Sequence, residues 1–211
     1  MMMNRIKAIK TAAILALLLS AAGCATFQAN TELLRGRMAL IRGMPLEAIP
    51  HLEQATTLDG TIRYSALRES GWTYLGRAYY EAKKYPQARQ ALEYALAANK
   101  DDGFARLYLG LTLARQDDHD ASRKEALLGL KVLNDALEFI VYNTADGVYW
   151  DPSGNLRKEL GSAQRDVTAS NPRLDHLFER LEALGAAVEE EIDLARLDER
   201  RDRDHSGNGD M

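Results

Sequence analysis

The stretch from Glu69 to Asp102, ESGWTYLGRAYYEAKKYPQARQALEYALAANKDD, decides the fold. Trp72, Leu75, Gly76 and Tyr79 stand three and four residues apart, the spacing of one helix face. After eight intervening residues, Ala88, Leu92 and Ala95 resume the same period. Between the two runs, Lys83-Lys84-Tyr85-Pro86 breaks the pattern, and a proline there suits the first turn of a following helix. Gly76 and Ala88 are small where two antiparallel helices must come close, and Trp72 and Tyr79 fill the space beside them. The stretch therefore predicts a helical hairpin.

Copies of this pattern lie on both sides. Gly36, Ala48, Leu52 and Ala55 precede Gly76, Ala88, Leu92 and Ala95 by a constant 40 residues, which predicts an earlier hairpin over 29–62 with its turn at Gly43-Met44-Pro45. The extra residues relative to a 34-residue period fall around Thr61 to Arg68. A third copy spans 103–142. Leu109 and Gly110 follow Leu75 and Gly76 by 34 residues, whereas Ala126, Leu130 and Leu133 follow Ala88, Leu92 and Ala95 by 38. The difference predicts a longer turn within Gln116 to Lys124.

The motif of 69–102 resembles the tetratricopeptide repeat (TPR), a helix-turn-helix unit of about 34 residues. It departs from the family at Lys100, where proline is usual. The resemblance implies an all-α fold: a short right-handed solenoid whose inner face is lined by the first helix of each repeat. Carried across copy by copy, the groove positions are Leu33, Arg37 and Leu40, then Thr73, Arg77 and Tyr80, then Leu107, Leu111 and Arg115. Arg37 and Arg77 fall at equivalent places, which predicts a groove for an extended or helical protein segment with acidic groups. The lysine and asparagine clamp of relatives that grip a peptide C-terminal carboxylate is missing.

The N-terminus has another character. Residues 1–23 combine Arg5, Lys7 and Lys10 with an apolar run from Ala12 to Leu19, the layout of a secretory signal and too short to span a bilayer as a helix. It ends in Ala21-Ala22-Gly23-Cys24, and Cys24 is the sole cysteine. Small residues directly before a cysteine resemble the lipobox of bacterial lipoproteins, with alanine where leucine is usual at its first position. The resemblance implies cleavage before Cys24, acylation of its thiol, including palmitate, and residues 24–28 as a lipid-anchored linker. Ala25, rather than aspartate, after the cysteine implies sorting to the outer membrane, facing the periplasm.

After Tyr142 the repeat signal stops. Asp146-Gly147, Asp151-Pro152 and Ser153-Gly154 are turn signals. They predict a loop that tucks Tyr149 and Trp150 against the last repeat; a hairpin with Asp146-Gly147 at its tip is the alternative. Leu156, Leu160, Ala163 and Val167 mark a short amphipathic helix. Asn171-Pro172 then starts a long one, with Leu174, Leu177, Phe178, Leu181, Leu184, Val188, Ile192 and Ala195 on a broad apolar face. Solenoids need a terminal element over the last exposed core, so 143–203 is expected to form a loop and helical cap. Residues 204–211 read as a disordered tail.

Composition excludes several functions. The net charge is −4 and, without the three basic residues of the N-terminal segment, −7. That argues against nucleic-acid binding, which needs a basic face. His51, His119, His176 and His205 show no metal spacing. No Gly-x-Ser-x-Gly elbow or phosphate-cradling glycine loop occurs, so no catalytic residue, enzyme activity or cofactor is expected. Asp202, Asp204, Ser206 and Asp210 imitate the start of a calcium loop but lack its closing glutamate. The expected role is a periplasmic scaffold or assembly factor that binds proteins. The alternative is a solute-binding accessory of a transport system that uses the concave face.

Overall fold

Three turns with one geometry set the architecture. Gly43, Lys83 and Asp117 adopt positive φ (70°, 59° and 63°), each seven residues after a buried glycine: Gly36, Gly76 and Gly110. In each, the left-handed residue donates its N–H three residues back and its successor donates five back. The pairs are Gly43 to Leu40 and Met44 to Ala39, Lys83 to Tyr80 and Lys84 to Tyr79, Asp117 to Ala114 and Asp118 to Leu113. These bonds satisfy carbonyls that a helix end would otherwise leave open. Pro45 and Pro86 then stand in the first turns of the helices that follow.

The structure, a computed structural model, describes residues 25–169 and 174–207. The calls on 1–23, Cys24, Asn171-Pro172 and Asp210 lie outside the described residues. The helices are α1 (25–41), α2 (Pro45–Leu58), α3 (Gly71–Glu81), α4 (Tyr85–Ala98), α5 (Gly103–Ala114) and α6 (His119–Asn143). A 3₁₀ turn (Ala145–Tyr149), α7 (Asn155–Thr168) and α8 (Leu174–Gly207) follow. Among the described residues the fold is all-helical, with one isolated antiparallel bridge, Arg63 to Ser70. From α2 onward each helix packs on the next.

Equal turn lengths correct the expected third hairpin. Its turn is no longer than the others, so the positions matching Ala88, Leu92 and Ala95 are Ser122, Ala126 and Gly129. All three are buried. In the first two hairpins a Cβ on Gly36 or Gly76 would strike Leu52 or Leu92, at 2.5 and 2.4 Å. In the third, Ala126 replaces the leucine and the backbones themselves close up. A Cβ on Gly110 would meet the Ala126 nitrogen at 2.8 Å and the Ser122 carbonyl at 2.9 Å. The sequence offset of 38 arose because Leu130 and Leu133, one turn further on, are also buried.

Helix starts interlock successive hairpins. Ser70 and Thr73 form a reciprocal capping box on α3, and Thr73 Oγ1 donates to Asp102 Oδ2 at 2.6 Å. Asp102 in turn accepts from the Ala105 N–H at 2.8 Å, capping α5. Burial raises the Asp102 pKa, and the bonds from Thr73 and Ala105 oppose that rise. The loop 59–70 carries the extra residues of the first connection. Its Glu69 is fully buried and accepts from Ser65 Oγ at 2.6 Å; burial pushes its carboxyl up to about 7 against that bond.

The C-terminal part corrects the expected cap. α7 packs on α6 through Leu156, Leu160, Ala163 and Val167, so this short helix covers the last hairpin. The segment before it forms the 3₁₀ turn, not a β-hairpin, and Trp150 is buried with its Nε1–H donating to Glu199 at 3.0 Å. α8 runs instead along the first helices, burying Leu177, Phe178, Leu181, Leu184, Val188, Ile192 and Ala195. Residues 204–207 continue α8, and residue 25 already belongs to α1. The expected disordered tail is therefore partly helix, and so is the expected linker.

Candidate functional site

The nine positions expected to line an open groove are brought together, but α8 lies over them. Arg37 of α1 has a side chain 3% exposed and that of Arg77 of α3 is 8% exposed. Glu189 of α8, 5% exposed, bridges both: its carboxylate pairs with Arg37 and, at 2.7 Å, with Arg77 Nη1. Tyr74 Oη donates to the same carboxylate at 3.3 Å. Asp193 adds a second partner for Arg37 at 2.9 Å, and Glu81 one for Arg77 at 2.7 Å. Burial works against both guanidinium charges, but Glu189 and Tyr74 beside Arg37, and Tyr108, Glu189 and Glu81 beside Arg77, outweigh it and hold each arginine more firmly protonated.

Arg37 and Arg77 are thus not free to grip a partner, which corrects the expected site. The cause is charge and shape on one edge of α8. Phe178, Glu182, Gly185 and Glu189 recur at helical spacing beside its apolar stripe. Gly185 lets the helix cross Tyr108 closely, since a Cβ there would lie 3.0 Å from the tyrosine oxygen. Leu33, Leu107 and Leu111 are fully buried, Leu40 nearly so, and Thr73 is spent on its cap. Of the repeat positions, Leu75, Ala88, Leu92 and Ala95 form core. Trp72 packs on Tyr94 with centroids 5.1 Å apart, and the Tyr79 hydroxyl donates to Glu53.

One part of the concave side stays open. A cleft of about 360 Å³ lies between α3, α5 and α8, lined by Arg77, Tyr80, Lys83, Tyr85, Tyr108, Arg115 and Glu182. Arg115 Nη2 pairs with Glu182 at 2.7 Å, both about two-fifths exposed. Tyr80 donates its hydroxyl to Glu182 and accepts from Arg115 Nε at 3.3 Å. The Tyr80 ring stands 5.8 Å from Tyr85 and 5.7 Å from Tyr108. The ring pairs are tilted and edge-on, and aromatic walls with cations at the rim suit an acidic or aromatic group.

Sequence reasoning reached Tyr80 and Arg115 but missed Lys83, Tyr85, Tyr108 and the two glutamates. The available signal was Glu182 and Glu189, two helical turns apart at the border of an apolar face. It also missed Tyr64, whose ring lies between the guanidinium groups of Arg37 and Arg196, each 4.3 Å from the centroid.

Asp202 and Asp204 sit in the continuous α8 helix, where alternate residues point apart, so they do not form the calcium-like loop. Among the described residues, no group of three or more His, Cys, Asp or Glu is placed to hold a metal ion. No helix among them is long and apolar enough to cross a membrane. Among the described residues the architecture is all-helical, with consecutively packed helices from α2 onward. Comparison with protein-family models, curated proteins and solved structures finds no match for the chain.

Proposed function

We propose that this chain is a lipid-anchored helical-repeat protein of the tetratricopeptide type, held at the outer membrane and facing the periplasm. It binds other proteins there as a scaffold or assembly factor, with no catalytic residue and no cofactor. The observation that carries the reading is the same turn occurring in all three hairpins, each seven residues after a close-packed glycine. Such stacked hairpins work by presenting a surface, and the surface left open is the cleft around Tyr80, Tyr85, Lys83 and Arg115. An acidic, apolar segment of a partner fits it; the charge contributes only about 0–1 kcal/mol per exposed pair, so the tyrosines supply most of the affinity.

Affinity capture from crosslinked envelopes tests this reading. K83E/Y85A should lose the captured protein while keeping the wild-type helical spectrum and melting temperature. Capture at wild-type level by that variant would place the binding surface elsewhere. Mass spectrometry should find Cys24 acylated, and C24S should move the protein to the soluble periplasmic fraction or leave it unprocessed. An unmodified Cys24 thiol would refute the anchor. A solute-binding role is the second reading, favoured by a cleft volume within the range of roughly 300–1,000 Å³ typical of small-molecule sites. A thermal-shift panel of acidic and aromatic metabolites separates it from the first.

A further inference from the structure

The outward side of α1 carries apolar side chains that no other part of the described fold covers. Phe27, Leu34, Met38 and Ile41 are 76, 39, 50 and 43% exposed. At 100° per residue they fall in one narrow sector of the helix. Met44 and Leu46, which follow α1 in the chain, are exposed as well. Arg35 and Arg42 border one edge of the stripe. The only acidic residue of α1, Glu32, is buried beneath it, paired with Arg35 and His51, each at 2.6 Å. Glu47 of α2 borders the shallow groove alongside.

We propose that this face rests on a lipid surface, with the apolar side chains at the boundary of headgroups and acyl chains and the two arginines among the phosphates. The proposal rests on the reading of Cys24 as the acylated anchor. Its occupant follows from where the face sits. The described part of α1 starts at residue 25, and Phe27 is three residues from Cys24 in the chain. The stripe from Phe27 to Ile41 runs about 21 Å along the axis, so α1 lies in the membrane plane, as interfacial amphipathic helices do.

A second copy of the chain is the less fitting occupant. Six partly exposed side chains fall short of the roughly 800 Å² per partner that a specific protein interface buries. A bilayer asks for no such area. The acyl chains already hold α1 at the surface at high effective concentration, so a weak contact is enough to fix how the body sits. Two signals together, lipid and protein face, are also what stable attachment requires when one alone is marginal.

The test uses acylated protein in vesicles of phosphatidylethanolamine and phosphatidylglycerol, with a fluorophore placed by M38C or, as a control on α4, by Q90C. Acylated Cys24 does not react with the label. Brominated lipids should quench the dye at 38 several-fold more than at 90, and L34E/I41E should reduce that quenching to the level at 90. Equal quenching at both positions in vesicle-bound protein overturns the proposal and leaves the anchor intact. Vesicle-free dimers in which the dye at 38 is shielded also overturn it, in favour of a second copy. The protein's mass reports separately on Cys24. If it shows no acylation, the anchor fails, and quenching at 38 against 90 in a C24S background, where the dye has one thiol to react with, still decides the lipid contact.

Discussion

Changing Glu189 to glutamine removes one charge from the middle of the molecule and keeps its shape. The carboxylate is 5% exposed and serves Arg37, Arg77 and Tyr74 together. Without it Arg77 retains Glu81, which is one-quarter exposed, and Arg37 retains Asp193, which is nearly half exposed. Breaking a buried pair by losing one partner costs about 3–5 kcal/mol, because the charge left behind stays desolvated. The neutral amide still accepts one hydrogen bond, which places E189Q near the low end, about 3 kcal/mol. For a chain of this size that lowers the melting temperature by about 6–12 °C. Urea denaturation followed by circular dichroism measures it. E182Q, which breaks the exposed pair with Arg115, is the control and should cost no more than about 1 kcal/mol. R37E/R77E should unfold the protein, since it sets two more carboxylates against Glu189. The triple variant R37M/R77M/E189L should recover much of the loss, because apolar groups carry no desolvation debt. A loss under about 1 kcal/mol for E189Q, with unchanged cooperativity, would refute the account of α8 as held by a buried charge bridge.

Other residues give sharper local tests. Glu69 has a folded carboxyl near 7 against an ordinary value of 4.5, so folding favours its neutral form. Its contribution is complete below about pH 4.5 and is lost as pH rises through about 7, a change of roughly 3 kcal/mol. E69Q should flatten stability between those pH values, and an unchanged slope in urea midpoints across pH 4.5–8 would show that the fall has another source. G110A should destabilise more than G76A, because the added Cβ meets backbone at Gly110 and a movable leucine side chain at Gly76. Overpacking costs about 1–3 kcal/mol where side chains can shift; equal midpoints for the two variants would contradict the closer approach of α5 and α6. T73V leaves Asp102 buried without its side-chain donor and should cost about 1–3 kcal/mol, readable as a drop in melting temperature that D102N/T73V does not double.

By itself the sequence determined the hairpins. Gly36, Gly76 and Gly110 mark close approaches, and helical spacing marks the buried faces of α2 to α5, because these choices are made by residues within a few turns of one another. Even there, two equally spaced sets of small and apolar residues in α6 left the register ambiguous by one turn. Backbone geometry at Asp117 resolved it. The tertiary structure alone decided where α8 goes. An apolar stripe says that a helix must be buried, but not against what, and Leu181, Leu184 and Val188 would suit an end cap as well as a concave face. The choice is made by Glu189 meeting Arg37 and Arg77, which are 152 and 112 residues away in the chain, and by Gly185 passing over Tyr108. Pairing over such distances leaves no period in the sequence. That is why arginines that read as a partner's grip are instead the seat of the protein's own last helix.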